Sequence, residues 1–144
     1  MQIEQIYTGC LAQGAYYIVS NGEAAIIDPL RETQPYIDKL EKDNVKLKYI
    51  FETHFHADFV SGHVDLSKKT NAPIVYGPTA NPQFNAIIAE DNKIFEVGKT
   101  KIKVLHTVNP SQKSVSSSIL RTLLTLPDFL KTSQVRHPQN TATV

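Results

Sequence analysis

Apolar and polar positions alternate near both ends of the first hundred or so residues, and denser apolar blocks lie between. IEQIYT (residues 3–8) alternates, as do KIFEV and KTKIKVLHT (93–107) on either side of Gly98, so each reads as a strand. AYYIVS and EAAIID are two further strands, joined by Asn21-Gly22, a strong short-range hairpin signal. Thr33 is placed to cap a helix with Pro35 in its first turn. Tyr36, Ile37 and Leu40 give that helix one apolar face, and Asp43-Asn44 stops it. KLKYIFE is a strand. HVDLSKKT, after Gly62, is a short helix that Asn71 ends, and PIVYG is a buried strand. NPQFNAIIAED reads as a helical or irregular connector.

After Thr107 the pattern changes. Residues 108–144 hold none of the chain's six glycines or six tyrosines, and Asp128 is their one acidic residue against Lys113, Arg121, Lys131 and Arg136. SILRTLLTL, before Pro127, is apolar enough for a helix, with Ser116, Ser117 and Ser118 as possible caps. The expected division is an ordered α/β part over 1–107 and a divergent Ser/Thr-rich tail, irregular or short-helical, over 108–144.

Composition narrows the partners. A chain of 144 residues with 41% hydrophobic content suits one compact domain. A net charge of +1, with the tail's basic residues scattered, offers no footprint for nucleic acid or an anionic membrane. The single cysteine, Cys10, excludes an internal disulfide and reads as a small buried side chain rather than a reactive thiol. With no signal-peptide pattern at the start and no run long enough to span a membrane, the expected compartment is the cytoplasm.

The chemistry concentrates in ETHFHADFVSGH, residues 52–63, directly after LKYIF. In a strand-like backbone His54, His56 and Asp58 fall on one face. Two imidazoles and a carboxylate suit zinc, iron or manganese and are a poor set for calcium. The competing reading makes these loop residues caps of the next helix, with Asp58 or Ser61 accepting its amide hydrogen bonds. The preceding strand, the Thr53 prefix and the Ser61-Gly62 helix start favour the metal. His63, at the helix start, reads as a surface residue; Tyr16, Tyr17 and Phe51 read as packing.

THFHADFVSGH, preceded by AAIIDP around Asp28 and followed by VLHT, resembles the metallo-β-lactamase fold superfamily, and within it the persulfide dioxygenase branch related to glyoxalase II. The likeness spans residues 1–107. It implies an αββα sandwich, present here as its N-terminal half, with metal ligands on loops at one edge of the sheets. It also implies that His54 is the first ligand of a single iron in the dioxygenases. In the two-metal hydrolases the positions of His54 and His56 serve one ion, and Asp58 with the residue after it serves the other. By the same analogy Asp28 orients the metal loop from behind the ligands, together with Thr53; the alternative for Asp28 is a carboxylate that turns the chain before Pro29. The substrate implied is a small thiol derivative, a glutathione persulfide or a glutathione thioester, and the cofactor Fe(II) or Zn(II).

Two departures qualify the likeness. The residue after Asp58 is Phe59, where two-metal enzymes usually carry histidine; phenylalanine has no lone pair, so a second ion loses a ligand. Where the family continues from VLHT to P-G-H-T, this chain runs VLHTVNPS and places Pro110 at the ligand histidine, while His106 matches a histidine that is not a ligand. No S-G-D stretch follows, and neither Asp128 nor His137 has a strand-end setting. The site is therefore expected to be incomplete and to hold metal weakly. Three functions compete: a metal-dependent sulfur dioxygenase or thioester hydrolase; a non-catalytic, truncated or frame-shifted relative; and a small module completed by another chain. A partial second sheet would leave apolar surface bare unless SILRTLLTL covers it, so self-association is expected.

Overall fold

The computed structural model describes residues 1–8, 13–53, 55, 60–78, 80–107 and 119–125. Six strands form one sheet in chain order: β1 (Gln2–Thr8), β2 (Gln13–Ser20), β3 (Glu23–Ile27), β4 (Lys46–Phe51), β5 (Ile74–Tyr76) and β6 (Ile87–Ile88). β1 to β3 run antiparallel, and β3 to β6 run parallel. Helix α1 (Gln34–Lys42) connects β3 to β4, and α2 (His63–Thr70) connects β4 to β5, as parallel neighbours require a crossover. A second sheet is an antiparallel meander of β7 (Ile94–Val97), β8 (Thr100–Thr107) and β9 (Ile119–Thr125).

The turns obey their residues. Asn21 and Gly22 both take positive φ, 48° and 80°, the twist a two-residue hairpin needs. Asn71 caps α2 in the left-handed conformation, φ 57°. Thr33 occupies the cap position of α1 without a side-chain cap bond; its hydroxyl accepts instead from Lys69 Nζ at 2.8 Å, linking the two helices.

Strand β3 shows why the central sheet reads as continuous apolar blocks. Ala24 and Ile26 face the helices, meeting Tyr36 and Leu40 of α1 and Leu66 of α2. Ala25 and Ile27 face the opposite way, onto Phe95, Val97, Ile102 and Val104 of the second sheet. Both faces of β3 are thus covered. Each large side chain buried there contributes about 1.5–3 kcal/mol. The described residues form helix, sheet and sheet layers in that order, a mixed α/β arrangement. At the far edge, Glu23 accepts from Lys48 Nζ at 2.7 Å and from the Gly98 amide at 2.6 Å, pinning the β7–β8 turn to the first sheet. The same two bonds hold its carboxyl below the usual range.

One expectation is corrected. Residues 119–125, read as part of a helix, form β9, which pairs with β8 along its whole length, from Lys101 opposite Thr125 to Thr107 opposite Ile119. ILRTLLT satisfies neither period cleanly, and the ladder offered by the free side of β8 decides the outcome. The segment is thus a strand of the second sheet itself. The connector 81–91 is irregular but contributes the two-residue strand β6, at the edge of the first sheet.

Candidate metal centre

Parallel strands β3, β4 and β5 end side by side, and in open α/β sheets the carboxyl ends of the strands are where ligands bind. β3 gives way to Asp28, β4 to Glu52 and Thr53, and β5 ends at Tyr76. His54, His56 and Asp58, the expected ligands, lie outside the described residues, as do Phe59 and Cys10. The frame that carries them is described on both sides.

Asp28 is buried and takes φ 49°, a conformation short polar side chains tolerate. Its amide donates to the Phe51 carbonyl at 2.9 Å. Its carboxylate accepts two bonds from one residue: the Thr53 amide at 2.7 Å and the Thr53 hydroxyl at 2.6 Å. The residue that precedes His54 is therefore fixed to the end of the neighbouring strand by a charge-assisted pair.

The return limb of the loop is fastened too. Leu30 and Ser61 form an isolated antiparallel bridge, and the Gly62 amide donates to the Pro29 carbonyl at 3.0 Å. A methyl group on Gly62 would strike the Leu30 carbonyl oxygen, so only glycine lets the two segments approach. Gly62→Ala is expected to lose about 1–3 kcal/mol of stability in a urea titration, because rigid backbone has to move. Gly22→Ala, where a Cβ meets nothing within 4 Å, should lose only about 1–2 kcal/mol, the strain of its positive φ.

Between the limbs lies Glu52, 1% exposed. Its amide donates to the Val75 carbonyl at 3.0 Å. One side-chain oxygen is 2.7 Å from Ser61 Oγ and 3.4 Å from His63 Nδ1. Burial, and then the negative charge of Asp28, push the Glu52 carboxyl up to about 9. At neutral pH it is protonated and can donate to Ser61 Oγ. That assignment resolves a proton count, since the one Ser61 hydroxyl proton is needed by the Pro29 carbonyl at 2.9 Å. Burial and the same two carboxyl groups raise the Tyr76 phenol as well.

His63, expected on the surface, is a correction. Its side chain is 14% exposed, with Nε2 3.4 Å from Tyr76 Oη and its ring tilted against Phe84 at 5.3 Å. Glu52, Tyr76 and Phe84 pack around its ring, which is why the helix start is covered. Glu52 and His63 are the residues that reading the sequence missed as a pair. The available signal was an acid placed directly after the apolar strand KLKYIF, where a buried partner has to come from elsewhere in the chain. Among the described residues no three histidine, cysteine or acidic side chains are grouped to hold a metal. No described helix is long and apolar enough to cross a membrane.

Comparison with known proteins gives this frame a lineage. A hydroxyacylglutathione hydrolase of Rhodopseudomonas palustris is 35% identical over 103 residues, covering 68% of this chain and 40% of that protein. One from Pelagibacter ubique is 38% identical over 69 residues, 46% of this chain and 28% of its own length. The chain therefore spans less than half the length of these relatives. The crystal structure of a metallo-beta-lactamase from Staphylococcus aureus superposes with TM-score 0.75 at 32% identity, over 87% of this chain and 38% of that one. ETHE1 from Myxococcus xanthus, at 22% identity, also gives TM-score 0.75 over 86% of this chain and 54% of its own, a likeness of fold. The family profile of the metallo-beta-lactamase superfamily matches residues 8–126, through β9, and the chain belongs to that superfamily.

Proposed function

We propose that this chain carries a single-metal loop of the persulfide dioxygenase type, with His54, His56 and Asp58 as donors to one iron and a glutathione-like persulfide as the substrate class. The observation that carries this reading is Phe59: the residue after Asp58, histidine in two-metal enzymes, has no lone pair here. The donor chemistry of imidazole, imidazole and carboxylate fits Fe(II) or Zn(II). The mounting fits as well, since Thr53 is held by Asp28 and Ser61 is held by Pro29 and Glu52, bracketing the donors. When bound, iron supplies the oxygen chemistry that a sulfur dioxygenase needs and zinc the Lewis acidity of a hydrolase. What this chain's residues do is orient: Asp28 and Thr53 set the start of the loop, and Glu52, neutral at pH 7, closes its base without adding charge.

With Pro110 at the place of the family's next histidine, the donors come from one loop, so metal binding is weak and turnover by this chain is near background. A second reading, a glutathione thioester hydrolase, is favoured by the identity to hydroxyacylglutathione hydrolases. Oxygen uptake on glutathione persulfide and hydrolysis of a glutathione thioester, measured side by side on iron-loaded and zinc-loaded protein, separate the readings. Weakly held iron with oxygen uptake near background is expected. Brisk uptake would show the site to be complete, and zinc-dependent thioester hydrolysis would replace sulfur oxidation with the hydrolase.

A further inference from the structure

We propose that Tyr76 is a positioning residue for the metal loop and acts through the ring of Phe55. Phe55 follows His54 directly and is 54% exposed, yet its ring is stacked on Tyr76, with centroids 4.9 Å apart and planes 25° from parallel. Tyr76 is 3% exposed at the end of β5 and is braced from behind. The His63 ring meets it edge-on at 5.9 Å and Phe84 is tilted against it at 6.2 Å. His63 is in turn held at 3.4 Å from Glu52. An aromatic pair of this kind contributes about 0.5–1.5 kcal/mol beyond the area it buries.

His54 thus sits between two residues tied to two different strand ends, Thr53 to Asp28 after β3 and Phe55 to Tyr76 on β5. The clamp proposed here therefore acts on the two residues that flank His54 in sequence, Thr53 and Phe55. Phe55 is then no idle surface aromatic. It is the outer half of a clamp whose inner half is buried. The inference rests on His54 being a metal donor, as proposed above.

The test is a double-mutant cycle with Tyr76→Leu, Phe55→Leu and the pair, with Tyr76→Phe as the conservative variant. Cobalt(II) affinity, read from its visible absorption, should fall about ten-fold in each single variant, fall no further in the double, and recover in Tyr76→Phe. Additive losses, or no loss in Tyr76→Leu, would overturn the proposal. Hydrogen exchange of peptides covering residues 53–62, in protein without metal, reads the clamp independently. Faster exchange in both single variants with no further gain in the double supports it, and unchanged exchange overturns it. If wild-type protein binds no cobalt, the metal reading fails and the exchange result alone decides the clamp.

Discussion

Asp28→Ala is expected to be among the most damaging single changes in the molecule, lowering unfolding free energy by roughly 2–4 kcal/mol and metal affinity roughly ten- to a hundred-fold. Two effects add. The carboxylate that accepts from both the Thr53 amide and its hydroxyl disappears, so a part-buried donor loses its acceptor. Alanine must also adopt φ 49°, which costs about 1–2 kcal/mol for a residue without a short polar side chain. Asp28→Asn separates the two. Asparagine tolerates the conformation and keeps one acceptor oxygen, so its stability loss should be about 1 kcal/mol. Urea unfolding of the three proteins, with zinc titration of each, checks both numbers. Equal behaviour of Asp28→Ala and wild type in the two assays would mean that the Thr53 contact holds nothing.

The second large effect concerns Glu52 and pH. Its carboxyl is raised in the folded protein by burial and by Asp28, with Tyr36, Tyr76 and His63 also facing it. A carboxyl raised on folding binds its proton more tightly in the native state than in the unfolded chain. Its contribution is therefore complete below the unfolded value of 4.5 and is lost progressively as pH rises toward about 9. At about 1.4 kcal/mol per pH unit, the metal-free protein should lose at most about 4 kcal/mol between pH 5 and 8 from this group. Glu52→Gln, neutral at every pH and able to donate to Ser61 Oγ, should flatten that slope and match wild type at low pH. Glu52→Ala should be less stable at all pH values by about 1–3 kcal/mol, since the Ser61 hydroxyl keeps only the Pro29 carbonyl and a cavity opens. Thermal unfolding from pH 5 to 8 measures all three. A wild-type slope that survives in Glu52→Gln would assign the pH dependence to another group.

How much of this was legible in the sequence depends on whether the determining contact is local. Asn21-Gly22, Pro35, Asn71 and Gly98 each fix a backbone conformation by themselves, and the elements they bound lie where they were expected. ILRTLLT was misread because its conformation is set by the edge of β8, a partner that ends a dozen residues before it. The short strand Ile87–Ile88 likewise exists only because β5 offers it a ladder. Asp28 was singled out through family likeness, and the structure gives it two bonds to Thr53. Glu52 and His63 were passed over because their burial is created by three strand ends and the start of α2 meeting, which no window of residues displays. Tyr76, a β5 residue by pattern alone, gained a role from its stack on Phe55, across twenty positions of sequence.

The single-metal character of the loop is the claim most open to direct measurement. Anaerobic titration of the purified chain with Fe(II) or Zn(II), followed by calorimetry, counts the ions. The account predicts one ion per chain, removed by a mild chelator and absent from a variant with both His54 and His56 changed to Ala. Two tightly held ions per chain would contradict it.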